Sequence, residues 1–88
     1  MATEHTIRVQ AATLPAGWVW THYEDGSGGL DSPDGRHMFS YDLMTSEYTD
    51  PITGKWCFWK DYPEHMSLQP FKAFAEEYVR EKLLLQNT

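Results

Sequence analysis

Aromatic and β-branched residues alternate with polar ones through the first two-thirds of this chain, then recur at helical spacing in the last third. Trp18-Val19-Trp20-Thr21-His22-Tyr23 has the composition of a strand. Successive side chains of a strand point to opposite faces, so Trp18, Trp20 and His22 share one face and Val19, Thr21 and Tyr23 the other. His37–Leu43 predicts a second long strand, with His37, Phe39 and Tyr41 on one face and Met38, Ser40 and Asp42 on the other. Met44-Thr45-Ser46 is a reversal, and Glu47-Tyr48-Thr49 a short third strand. Lys55–Lys60 is apolar on both faces, the pattern of a strand covered on both sides. Ile7-Arg8-Val9 alternates as an edge strand or an ordered arm. Between these runs stand turn signals. Glu24–Gly29 is expected to be a flexible loop, Pro33-Asp34-Gly35 and Asp50–Gly54 are turns, and Leu30 is a lone apolar residue that pins the long connection.

From Leu68 the period changes to 3.6. Leu68, Phe71, Phe74, Ala75, Tyr78, Val79 and Leu85 fall on one helix face, and Ser67 stands at the N-cap position. Glu76, Glu77, Arg80 and Glu81 fall largely elsewhere, with Glu76 and Arg80 as a favourable pair one turn apart. Leu84 projects toward the polar side. The expectation is one α+β domain over residues 1–88: a small antiparallel β-meander with one C-terminal α-helix packed on the sheet. Residues 14–51 form the main sheet; residues 52–88 add a strand and the helix.

Composition narrows the chemistry. The chain has 88 residues with 41% hydrophobic and 15% aromatic side chains, enough for one compact core. A single cysteine, Cys57, excludes an internal disulfide framework and fits a reducing compartment. Met1–Gln10 is polar, no apolar run approaches transmembrane length, and an intracellular setting, cytoplasm or nucleus, follows as the expectation. The net charge of −6 argues against a binder of nucleic-acid backbones. The histidines and Cys57 lack the close pairs of a structural zinc site, so no metal is expected. Asp25-Gly26-Ser27-Gly28-Gly29 lacks the spaced acids of a calcium loop and the Lys-Ser/Thr ending of a phosphate loop. No cofactor motif occurs, and no enzymatic activity is expected.

Leu14-Pro15-Ala16-Gly17-Trp18, with Gly35-Arg36, Phe39, Tyr48 and Asp50-Pro51 following, resembles the WW domain, the small three-stranded module that binds proline-rich peptides. The resemblance covers Leu14 to Pro51 and requires a longer first loop, Glu24–Asp34, than the family has. It implies that Trp18, Phe39 and Pro51 pack together as the family's structural buckle. It also implies that Met38, Asp42 and Tyr48 stand where the family's ligand-binding residues stand. The family's rigid aromatic wall is then replaced by the flexible Met38. The expected ligand-binding face is Val19, Tyr23, Met38, Asp42 and Tyr48. The expected function is a non-catalytic protein-protein interaction module, taking a protein or an extended or proline-containing peptide on an aromatic sheet face. The alternative is a small acidic inhibitor or nucleic-acid mimic that acts on a basic partner. The oligomeric state is left open.

Overall fold

The structure is a computed structural model that describes residues 6–59 and 67–84. Six strands run in chain order: β1 Ile7–Gln10, β2 Val19–His22, β3 Ser27–Asp31, β4 His37–Asp42, β5 Glu47–Thr49 and β6 Trp56–Phe58. Each pairs antiparallel with its sequence neighbour, so the sheet order is β1-β2-β3-β4-β5-β6 and β1 and β6 are its edges. Helix α1, Leu68–Tyr78, lies across one face and runs on into a π-helical stretch, Val79–Leu84. The expected meander with one packed C-terminal helix is the observed architecture. Ile7-Arg8-Val9 is an edge strand, paired Ile7 to His22 and Val9 to Trp20.

The expected flexible loop Glu24–Gly29 is a correction. Its second half is the start of β3, which sits between β2 and β4 with Gly28 opposite both His22 and Tyr41. Two consecutive glycines are poor strand formers, but here each lies beneath a ring. A Cβ on Gly28 would come to 2.5 Å of the Tyr41 hydroxyl and strike the Thr21 carbonyl; one on Gly29 would meet His37 at 3.2 Å and strike the Phe39 carbonyl. The strands β2 and β4, which the WW resemblance would make neighbours, are therefore separated by one strand.

A second correction concerns β4. Leu30 pairs with Phe39, but Asp31 pairs with His37, so Met38 is an extra residue at a bulge. A bulge re-aims the side chains around it. His37 turns to the face of Asp31 and Gly29, away from Phe39, while Met38 packs against the core cluster.

The core forms between α1 and the face that carries Trp20, Leu30, Phe39, Tyr41 and Tyr48. Phe71 is its hub, with ring centroids 5.9 Å from Trp20, 6.2 Å from Phe39, 5.6 Å from Tyr41, 5.5 Å from Tyr48 and 5.7 Å from Trp59. Trp20, Leu30, Phe39, Phe71 and Val79 are wholly buried. Each such side chain contributes about 1.5–3 kcal/mol, and each well-oriented aromatic pair adds about 0.5–1.5 kcal/mol. Trp18 and Phe39 belong to this cluster; Pro51 is half-buried in the β5–β6 turn and is not among its members. Ser67 occupies the N-cap with an extended backbone but makes no side-chain cap bond.

Glu76 departs from the polar role its spacing implies. It is buried, and its carboxylate accepts hydrogen bonds from the Trp20 indole (2.7 Å), the Thr13 amide (2.9 Å) and the Thr13 hydroxyl (2.5 Å). Arg80 does not pair with it directly; its guanidinium donates to the same Thr13 hydroxyl. The segment before β2 is thereby fastened to α1. The wider π-helical turn brings Leu83 and Leu84 against the core, so Leu84 is half-buried. Leu85 lies outside the described residues.

Candidate functional site

The two faces of the sheet have different fates. One lies under the helix. The other, the open face, carries three cross-strand rows set by the register. Gln10, Val19, Asp31 and His37 form the first; Arg8, Thr21, Gly29 and Ser40 the second, which Thr49 and Trp56 continue through the bond from the Ser40 amide to the Thr49 hydroxyl at 2.7 Å; Ser27, Asp42, Glu47 and Phe58 the third. The Tyr23 amide donates to the Ser27 carbonyl at 2.9 Å, which extends the ladder and sets Tyr23 at the head of the third row.

The β1 end of the open face is polar and internally satisfied. The Asp31 carboxylate accepts from the Thr21 hydroxyl at 3.1 Å, hydrogen-bonds the His37 ring, and lies 4.0 Å from the Arg8 guanidinium. Thr21 is buried beneath these side chains. This cluster holds the sheet end together and leaves little unspent chemistry.

The five residues expected to form the ligand face are divided. Val19, Tyr23 and Asp42 lie on the open face, with Tyr23 40% exposed. Met38 is turned to the core by the bulge. Tyr48 pairs with Tyr41 and Cys57 on the covered face and packs at 5.5 Å on both Phe71 and Phe74. Burial pushes its hydroxyl pKa above the usual tyrosine value. Tyr48 packs into the core, so it does not share the open face with Val19, Tyr23 and Asp42.

The aromatic surface of the open face comes instead from β6. Trp56 is 55% exposed and Phe58 66%, while the alternate residues Cys57 and Trp59 turn inward and Trp59 is buried. The strand is apolar on both faces, as expected, but only one of them is covered. That is a correction, and its cause is position: β6 ends the meander.

The backbone of β6 sharpens this. Trp59 donates to the Ser46 carbonyl at 2.7 Å and Asp50 to the Lys55 carbonyl at 2.9 Å. These fix the hydrogen-bonded pairs of the β5–β6 ladder at Trp59, Cys57 and Lys55, because such pairs alternate along an antiparallel ladder. The N–H and C=O groups of Trp56 and Phe58 therefore face away from β5, along an edge that pairs with no further strand among the described residues. At the opposite edge the Ala11 amide donates to the Trp18 carbonyl at 2.8 Å, so the outward backbone groups belong to Arg8 and Gln10. A charged side chain on an edge discourages strand pairing. Arg8 blunts β1 in this way, whereas β6 offers two bare aromatics beside backbone groups that have no partner among the described residues.

Beside Phe58 stand two acids. Asp42 and Glu47 face each other across β4 and β5, and neither forms an ion pair among the described residues. Like charges directly opposite one another cost stability. Asp42 accepts a turn bond from the Met44 amide at 2.9 Å, and most other described acids are also bonded internally: Asp25 accepts from Ser27, Asp34 from Ser32 and Arg36, and Asp50 from the Tyr78 hydroxyl at 2.9 Å.

Catalytic and metal chemistry find less support. The His22 ring hydrogen-bonds the Tyr41 hydroxyl and stacks on Trp20 at 6.1 Å. Burial, with the nearby Lys72 charge, lowers the His22 pKa and holds the ring neutral. Its Nε2 atom is buried without a partner among the described residues. Among those residues no group of His, Cys, Asp or Glu is arranged to hold a metal ion, and no helix is long and apolar enough to cross a membrane. No family model, no curated protein and no solved structure matches the chain.

Proposed function

We propose that this chain is a non-catalytic protein-interaction module that receives its partner at the β6 end of the open sheet face. One observation carries the reading: Trp56 and Phe58, two large aromatics on one face of an edge strand, are left bare while Trp20, Phe39, Tyr41 and Tyr48 are packed under the helix. Exposed aromatic patches of this kind mark binding surfaces, and Trp in particular anchors interfaces. The mimic reading is less favoured because Asp25, Asp34 and Asp50 are bonded into turns, Asp31 into the sheet and Glu76 into the core, instead of being arrayed on one face.

The test is selection from a displayed random-peptide library against the full chain, with parallel selection against a Trp56→Ser, Phe58→Ser double variant. Both side chains are exposed, so each substitution should change stability by no more than about 0.5 kcal/mol. Peptides enriched by the wild-type chain and not by the folded double variant support the reading. Peptides that bind both equally well place the site elsewhere.

A further inference from the structure

Resting on that reading, we infer that the partner segment adds to β6 as a seventh antiparallel strand and carries arginine or lysine on alternate positions, over the open face. The mode follows from the edge. The outward backbone groups of β6 belong to Trp56 and Phe58, and no proline, charge or bulge interrupts Trp56–Phe58. Strand addition uses such groups for affinity and takes specificity from alternate side chains. Partner residues opposite Trp56 and Phe58 would lie on the open face, about 5 Å from those side chains. The residue between them would point to the covered side, beside Cys57.

The chemistry follows from the third row. Phe58 is flanked by Glu47, and Glu47 by Asp42. A long basic side chain opposite Phe58 can lay its cation over the ring and direct its N–H groups at Glu47, joining a cation–π contact to a charge-assisted hydrogen bond. Arginine fits best, since its planar guanidinium stacks and donates together. It would also relieve the repulsion between Asp42 and Glu47. A second copy of this chain fits less well. Two β6 strands pairing about Cys57 would set Phe58 against Trp56 and bring no cation to Glu47, and each copy carries a net charge of −6.

Three capped eight-residue peptides test this against the full chain by amide-resolved NMR titration: alternating Arg-Val, Leu-Val and Glu-Val. The Arg-Val peptide should shift the Trp56 and Phe58 amides. It should bind at least about tenfold more tightly than the Glu-Val peptide in dilute salt, with the gap shrinking as salt rises. Glu47→Lys should invert the order, and Glu47→Gln should narrow it. Two results would overturn the basic partner while leaving β6 as the docking edge: Leu-Val binding there as tightly as Arg-Val, or Glu47→Lys leaving the order unchanged. Shifts absent from β6 with all three peptides would overturn strand addition itself. A dimer in sedimentation equilibrium that Trp56→Ser and Phe58→Ser dissolve would assign the edge to a second copy and overturn the inference.

Discussion

Glu76 is a carboxylate held in the core by three donors from a segment more than fifty residues away in sequence. Burial opposes its ionisation, but the hydrogen bonds from Thr13 and Trp20 outweigh that, and its pKa falls below the usual 4.5. A carboxylate whose folded pKa is lowered stabilises the fold above the unfolded pKa, and that contribution fades as pH drops through the folded value. Glu76→Gln should therefore destabilise by about 2–3 kcal/mol at pH 7, since an amide nitrogen replaces one acceptor among three donors. Urea unfolding at pH 7 and pH 3 checks this: the gap between variant and wild type should narrow in acid. Nothing in the helical spacing revealed this role, because the donors come from outside the helix. Ser46 makes a second residue-scale case. It adopts a left-handed backbone, φ 58°, and its buried hydroxyl has no partner among the described residues. Ser46→Gly relieves both costs and should raise stability by about 1 kcal/mol. Ser46→Ala, which removes only the hydroxyl, should gain less, and a thermal melt of the two variants separates the contributions.

At the scale of elements, β2, the part of β4 from Phe39 to Asp42, and the helix with its stripe from Phe71 to Val79 were legible because burial imposes period on the side chains that face the core. β3 was not. Its glycines have no side chain to show a period; what they supply is room, which is visible only once Tyr41 and His37 are placed over them. Gly28→Ala should accordingly cost about 1–3 kcal/mol, since its methyl must displace the Tyr41 ring and a strand carbonyl. The midpoint of urea unfolding measures it; an unchanged midpoint would mean that β3 is not held beneath that ring. The bulge at Met38 was hidden for a related reason: one extra residue shifts the faces of its neighbours without altering composition. So two of the five expected ligand residues, Met38 and Tyr48, turn inward. The signal that would have found Trp56 and Phe58 was present, an apolar strand at the end of a meander. Periodicity says which side chains share a face, but whether a face is covered depends on what neighbours the strand has.

At the scale of the molecule the described titrating groups set a window of stability with two acid-side steps and one alkaline limit. The His22 pKa is lowered by burial and by Lys72, so the fold holds the neutral ring. Its contribution is complete above about 6.5 and is lost as pH falls through the lowered value. Asp25 is lowered by its Ser27 bonds and Asp34 by its Ser32 bond. Asp50 is lowered by the Ile52 and Thr53 amides, which outweigh its burial. With Glu76, these carboxylates lose their contributions below about pH 4. On the alkaline side burial pushes Tyr41 and Tyr78 up to about 12, with the Asp25 charge adding at Tyr41 and the Asp50 hydrogen bond at Tyr78. A tyrosine with a raised folded pKa stabilises the fold below the unfolded value near 10, and this is lost as pH rises from there toward 12. Stability measured by urea unfolding should therefore be flat between about pH 7 and pH 9, fall gently below pH 6.5, and fall steeply below pH 4 and above pH 10. His22→Phe should abolish the first acid step and leave the second, because its ring keeps the stack on Trp20 without a titrating nitrogen. A wild-type profile without the gentle step, or a variant that retains it, would show that the His22–Tyr41 pair does not couple to folding.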